Sequence, residues 1–256
     1  MSASTLERLV GAVEEKKARL EALRPLSPGA FYNLQHAHDL ELTYTSNAIE
    51  GNSLTQIETN LVIEQGITVG GKKLRDHLEA VDHHEALDFV RILAGRDSRL
   101  TEYEVRSLHA LVLRRSDPAI AGGYATASRY VKTDLGRHTF PSPAEVPALM
   151  GDFSAWLGDS PASPQTAFTA HRRLVDIHPF NDGNGRTARL LMNLVLIRGD
   201  YPPVAVRLED LLRYLRALQD AQAGQSDEAF QLLLFERLDA TLDEYLSALR
   251  EALPPP

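Results

Sequence analysis

The chain has 256 residues, 43% apolar and 24% charged, ordinary globular usage that excludes wholesale disorder and suffices for one large domain or two small ones. Lys and Arg number 27 against 35 Asp and Glu, a formal charge of −8, which argues against general binding to nucleic-acid backbones. With no cysteine, disulfides, thiolate zinc sites and cysteine nucleophiles are excluded, and a cytoplasmic, reducing location is the expectation. The opening MSASTLERLVGAVEEKKARL carries charges within its apolar stretch, unlike a signal peptide. No run of about 18 apolar residues predicts a membrane span.

Most of the chain reads as helix. Ser4 with Glu7 forms a capping-box pattern, and Leu6, Leu9, Val10, Val13, Leu20 and Leu23 fall near one stripe. Pro25 and Pro28 precede a second helix that runs to about Glu50 and stops at Gly51. Thr55 with Glu58 opens a short helix ending near Gly66. Leu78, Val81, Phe89 and Ile92 mark another, closed by Gly95. Thr101 with Glu104 opens the next, with Val105, Leu108 and Val112 inward. The stretch 114–141, with its glycines around RYVKT, predicts a short hairpin or extended flap. Ser142 with Glu145 opens a helix carrying Leu149, Phe153 and Trp156. A helix from about Gln165 must end at His178-Pro179, because proline disfavours helical conformation in the residue before it. The next begins near Gly185 and carries Leu190, Leu191, Leu194 and Val195. Helices over Leu208–Gln222 and Asp227–Leu253 follow, and the PPP tail should fray. No linker divides the chain, so one all-α domain with a small β-hairpin is expected over 1–256.

The chemistry concentrates in HPFNDGNGRTAR, residues 178–189. A helix ends, a glycine-rich loop follows and a new helix starts. The first amides of that helix lack internal partners and carry partial positive charge. Gly183 and Gly185 let the backbone curl into a nest that suits phosphate. Arg186 and Arg189, three apart, add two guanidinium forks suited to a polyphosphate. Asp182 is an oxygen ligand placed where Mg2+ could bridge phosphate oxygens. His178 titrates near neutrality and could take a proton from an attacking hydroxyl.

This segment resembles the Fic family motif HxFx(D/E)GNGRxxR at every specified position. The similarity continues through RLLMNLVL and GDYPPV after it and through GGYATASRYV and FPSPAEVPALM before it, so it spans about Ser46 to Tyr245. The resemblance implies a mostly helical Fic fold, with about 1–100 forming N-terminal helices and about 101–256 the Fic core. It also implies transfer of AMP from ATP to a Ser, Thr or Tyr hydroxyl of a target protein. His178 would be the base and Asp182 the ligand of Mg2+ or Mn2+. Gly183, Asn184, Gly185 and Arg186 would hold the α- and β-phosphates, and Arg189 the γ-phosphate. The flap, with Val131, Lys132, Thr133 and Phe140, would pair with the target's backbone. Tyr214 is the candidate nucleoside contact, and a homodimer is compatible with the family.

Upstream, Ser46-Asn-Ala-Ile-Glu50-Gly51 is similar to the family's inhibitory pattern (S/T)xxxE(G/N). Ser46 and Glu50 share a helical face. The resemblance implies that Glu50 pairs with Arg189 and displaces the γ-phosphate. A glutamate there could also orient water for the reverse reaction, removal of AMP. One departure stands out: many members carry Arg after the aromatic in G-x-(F/Y)-R, whereas Gly123-Tyr124 is followed here by Ala125.

Other readings stay open. The Fic site in some members moves UMP, phosphocholine or phosphate. His36, His38-Asp39, His77, His83-His84 and Asp88 loosely resemble HD-type metal phosphohydrolases, although histidines on amphipathic helices also explain them. A helical interaction module without catalysis is the non-enzymatic alternative.

Overall fold

The computed structural model describes residues 4–23, 28–133 and 136–251. The expected endpoint at Leu253, the PPP tail and Pro25 lie outside the described residues, as do the side chains of Pro28 and Thr133.

Local capping chemistry sets most helix starts. Ser4 and Glu7 cap α1 (Thr5–Ala22) reciprocally, and Thr55 with Glu58 does the same for α3 (Gln56–Gln65). Between them, α2 (Pro28–Ile49) stops just before Gly51, whose φ of +90° is a conformation that glycine tolerates best. The fourth helix, α4 (Leu74–Ala94), runs beneath α2, and Thr101 with Glu104 opens α5 (Glu102–Val112). The hairpin is present as β1 (Tyr130–Thr133) and β2 (Gly136–Thr139), antiparallel, with Tyr130 opposite Thr139 and Lys132 opposite Arg137. Then come α6 (Val146–Asp159), α7 (Pro164–Ile177) and α8 (Asn184–Arg198). One 3-10 turn, Leu208–Asp210, leads into α9 (Leu211–Gln222), and α10 (Glu228–Glu251) returns along α1.

Two elements depart from the sequence reading. In α4 the expected stripe lies at the margin of the core: Leu78, Val81 and Phe89 are half-buried, Phe89 and Val81 packing against buried clusters, and Ile92 is exposed. The buried face is Ala80, His83, Ala86, Leu87, Val90 and Leu93, with Asp76, Glu79 and Asp82 buried beside it. Those acids are buried because they are partnered: Asp82 accepts from the Arg115 and Ser116 amides and pairs with the Arg115 guanidinium at 3.0 Å. The helix expected from Ser142 starts at Val146 instead. Ser142 donates its amide to Glu145, but the intervening residues form a turn.

The core runs from Val13 in α1 to Leu249 in α10. At its centre lies α8, with Leu190, Leu191, Met192, Leu194, Val195 and Leu196 all buried, the pattern of a helix surrounded by others. It packs on α7, α4 and α5. At its C-terminal end Arg198 donates to the carbonyls of Leu93 and Ser98, while its N-terminal turns meet the end of α2 and share a cavity with the hairpin. Among the described residues no helix is long and apolar enough to cross a membrane.

Candidate active site

The site begins where α7 stops. Ser163 caps α7, and Pro164 occupies its first turn, where a missing N–H costs nothing. Pro179 forbids continuation, and His178 adopts φ 48° and ψ 56°, a left-handed conformation uncommon outside glycine. The loop then closes on itself. Asn184 donates from Nδ2 to the Phe180 carbonyl at 2.8 Å and accepts the Phe180 amide at 2.9 Å. Phe180 is fully buried and stacks on His109, with ring centroids 3.7 Å apart. His109 Nδ1 accepts the Gly122 amide at 2.9 Å, so Nε2 carries the hydrogen and donates to the Asp182 carbonyl at 2.9 Å. Burial pushes His109 down to about 4, against the opposing Asp182 carbonyl. Gly183 follows with φ +74°, and a Cβ there would press on the His109 ring. No side chain caps the start of α8. Its leading amides therefore form the anion-binding end expected of a helix N-terminus.

Charged groups converge on this end. Arg186 is almost wholly buried, 3.4 Å from both Glu79 of α4 and Asp182. Asp182 also accepts the Gly183 amide at 2.6 Å and Arg75 Nη2 at 2.8 Å. Burial raises its pKa, but Arg186, the Gly183 amide and Arg75 outweigh it and hold the carboxyl below its ordinary value. Arg189 is buried and fully engaged by the end of α2. It donates from Nε to Ser46 Oγ at 3.0 Å, and from Nη2 to the Ser46 carbonyl at 2.9 Å and to Glu50 Oε1 at 2.7 Å. Burial works against its charge, and Glu50 leads the groups that restore it. The Glu50 carboxylate lies directly over Gly185, where any Cβ would overlap Oε1.

A cavity of about 330 Å3 opens beside these groups. Glu50, Gly185, Arg189, His178 and Phe140 line it, together with Val131 and Lys132 of the hairpin. The His178 ring stacks on Phe140, and burial pushes its pKa down to about 4, against a hydrogen bond with the Val175 backbone. Tyr214 lies in the wall, buried, with its hydroxyl 2.8 Å from His171 Nε2 and beside Arg189. His171 is itself fully buried and pushed down to about 3 by burial first and by Arg189 second.

The structure thus brings together His178, Asp182, the Gly183–Gly185 backbone, Arg186, Arg189, Ser46 and Glu50. Asn184 braces the loop with its side chain and has only its amide to offer an anion. Gly51 turns the chain away behind Glu50. Ala125, at the departure from the family pattern, is buried and donates its amide to the Pro179 carbonyl, so the segment before the flap still docks on the motif. The rival residues are otherwise engaged: His77 lies between the Val69 amide and the Lys73 carbonyl, His38 packs edge-on to Tyr245, and His36 pairs with Glu64. His84 is within electrostatic reach of Asp88, Asp39 and His36, but Asp39 is paired with Arg91. Among the described residues no group of three or more His, Asp or Glu is arranged to hold a metal. A divalent cation here would rely on the Asp182 carboxylate and on oxygens of a substrate, a division that suits Mg2+. Asp182 fits that role, since its Oδ2 already sits against a cation from α4.

Sequence reading missed His109, His171, Arg75, Glu79 and the α9 residues Leu215, Leu218, Gln219 and Gln222 that complete the cavity wall. Of these, only the Arg75–Glu79 spacing left a local signal, an i,i+4 ion pair.

Comparison with known proteins gives the family. A model of the Fic/DOC family matches residues 99–196. Protein adenylyltransferase fic-1 of Caenorhabditis elegans is 33% identical over 94% of this chain and 49% of its own length. Protein adenylyltransferase Fic of Nematostella vectensis is 32% identical over 94% and 56%. The chain therefore spans about half the length of the curated relatives it matches. Among solved structures, that of Fic-1 from Caenorhabditis elegans superposes with a TM-score of 0.84 at 28% identity, covering 97% of this chain and 74% of that one. A Fic domain containing signaling protein from Bacteroides thetaiotaomicron superposes with a TM-score of 0.86 at 31% identity, covering 94% of this chain and 97% of that one. With the motif loop, the uncapped helix and a relative matched almost end to end, the chain belongs to the Fic family.

Proposed function

We propose that this chain transfers AMP from ATP to a hydroxyl side chain of a protein, and that it does so as one helical unit with a hairpin at its entrance. One observation carries the reading: His178, the Glu50 carboxylate, Gly185 at the uncapped start of α8 and buried Arg189 line a common cavity, with Asp182 and Arg186 paired on the adjoining loop and first turn. In the proposed reaction the leading amides of α8 and Arg186 hold the α- and β-phosphates. Arg189 serves the γ-phosphate once Glu50 leaves it. Asp182 would hold Mg2+ or Mn2+, which when bound would neutralise phosphate charge. His178 removes the proton from the target hydroxyl, whose oxygen bonds to the α-phosphorus as pyrophosphate departs. Burial keeps His178 neutral at pH 7, the form able to accept a proton. The nucleoside would occupy the cavity between the hairpin and α9, against Leu215, Leu218 and Gln222. The exposed edge of the hairpin suits an extended segment of the target. The named activity of the curated relatives supports the same reading.

Incubation with ATP radiolabelled at the α-phosphate, with Mg2+, tests the proposal. Label should enter protein with the Glu50→Gly variant and vanish when His178→Ala is added, a loss of at least about 100-fold. Label that persists in the double variant rejects the mechanism.

Glu50 supports a second reading. Its carboxylate lines the same cavity as His178 and acts electrostatically on that imidazole, so it is placed to orient water for AMP removal. Release of AMP from a modified target by the wild-type chain, lost in Glu50→Gly, is the matching test.

A further inference from the structure

The two carboxylate oxygens of Asp182 are held differently. Oδ1 accepts the Gly183 amide at 2.6 Å and lies 3.4 Å from Arg186 Nη2. Both partners are built into the motif, and the Arg186 side chain is only 2% exposed. Oδ2 accepts from Arg75 Nη2 at 2.8 Å. Arg75 belongs to the first turn of α4, and its side chain is 48% exposed. Its Nε donates to Glu79 Oε1 at 3.0 Å, the same oxygen that faces Arg186. Glu79 is in turn tied to the end of the inhibitory segment, because Asn52 Nδ2 donates to its Oε2 at 3.0 Å. Asp182 therefore has one fixed cation and one movable cation, and the movable one comes from an element outside the motif.

We propose that Arg75 is a positioning residue for nucleotide binding, a resident counter-charge on Asp182 Oδ2 that a divalent cation must displace. The proposal rests on the reading of Asp182 as the metal ligand. Without metal, Arg75 neutralises a carboxylate that would otherwise repel incoming phosphates. With metal, the guanidinium leaves Oδ2 but stays nearby, because Nε remains on Glu79. Its general attraction for phosphate is then similar with and without metal. Its pairing with Asp182 acts only without metal, so Arg75 weakens the dependence of nucleotide binding on the cation. A half-exposed ion pair of this kind sets the size of the effect at about two- to five-fold.

The test is the ratio of dissociation constants for α,β-methylene-ATP in EDTA and in Mg2+, measured by calorimetry on the full chain. The wild-type ratio should exceed one. Arg75→Ala should enlarge it about two- to five-fold, Arg75→Lys should restore the wild-type value, and Arg75→Ala with Asp182→Ala should abolish the metal dependence. Arg75→Gln, which keeps the stem and the contact with Glu79, should behave as Arg75→Ala and guards against a folding defect. A wild-type ratio above one that is unchanged or smaller in Arg75→Ala and Arg75→Gln overturns the proposal and leaves Asp182 as metal ligand intact. A wild-type ratio of one overturns both.

Discussion

The ring of Phe140 lies on the imidazole of His178, with centroids 3.8 Å apart and planes within 12° of parallel. The last residue before Pro141 thus covers the group assigned as base, and the hairpin and the reaction centre are mechanically joined.

That contact sets a pH prediction. In the proposed mechanism neutral His178 is the base, and burial holds its pKa at about 4. The value of kcat/KM should stay level as pH falls from 8 through 6, then decline near 4. Phe140→Ala admits water to the ring, so the acid limb should move up toward the ordinary value of about 6.5. A pH–rate profile of each protein checks this, and coincident acid limbs would contradict it.

Glu50 and Arg189 carry the second prediction. Their 2.7 Å ion pair is buried on the arginine side and sits over Gly185. Glu50→Gly frees Arg189 for the γ-phosphate, and a charge-assisted hydrogen bond of about 1.5–3 kcal/mol becomes available to ATP. Productive ATP binding should strengthen about tenfold or more, read as labelling rate at limiting ATP. Glu50→Gln, which keeps the shape and loses the charge, should give a smaller gain.

How much of this was legible beforehand depended on whether the signal was local. Capping pairs at Ser4, Thr55 and Thr101 sit within four residues and were read directly. The motif loop was legible because its parts are consecutive. The buried face of α4 was misread because Asp76, His77, Glu79, Asp82 and His83 count as polar in any periodicity. They are buried through partners such as Arg115 and Arg186, which come from other elements. His109 and His171 escaped notice for the same reason: each acts on the site from a different helix, with no spacing to betray it.

Asn184 offers a stability prediction. It satisfies both backbone groups of buried Phe180. Asn184→Ala leaves an N–H and a C=O without those partners, each worth about 1–3 kcal/mol when stranded. Urea denaturation should show a loss of about 2 kcal/mol or more, with nucleotide binding weakened in parallel as the loop loosens.

The buried histidines predict acid sensitivity. His109 and His171 are held neutral, at about 4 and about 3, against about 6.5 in the unfolded chain. Below 6.5 the unfolded state takes up protons first, so stability is complete above that pH and declines as pH falls toward 4. For His109 alone the limit is on the order of 3 kcal/mol. Unfolding free energies at pH 7 and pH 5 should differ accordingly, and His171→Phe should shrink the difference.

The helix at the centre of the core is also the helix whose uncapped first turn is proposed to receive the anion. No intermediate lacking α8 can grip nucleotide, so occupancy reports the integrity of the whole interior. ATP should then act as a folding ligand, raising the melting temperature in proportion to the logarithm of its concentration.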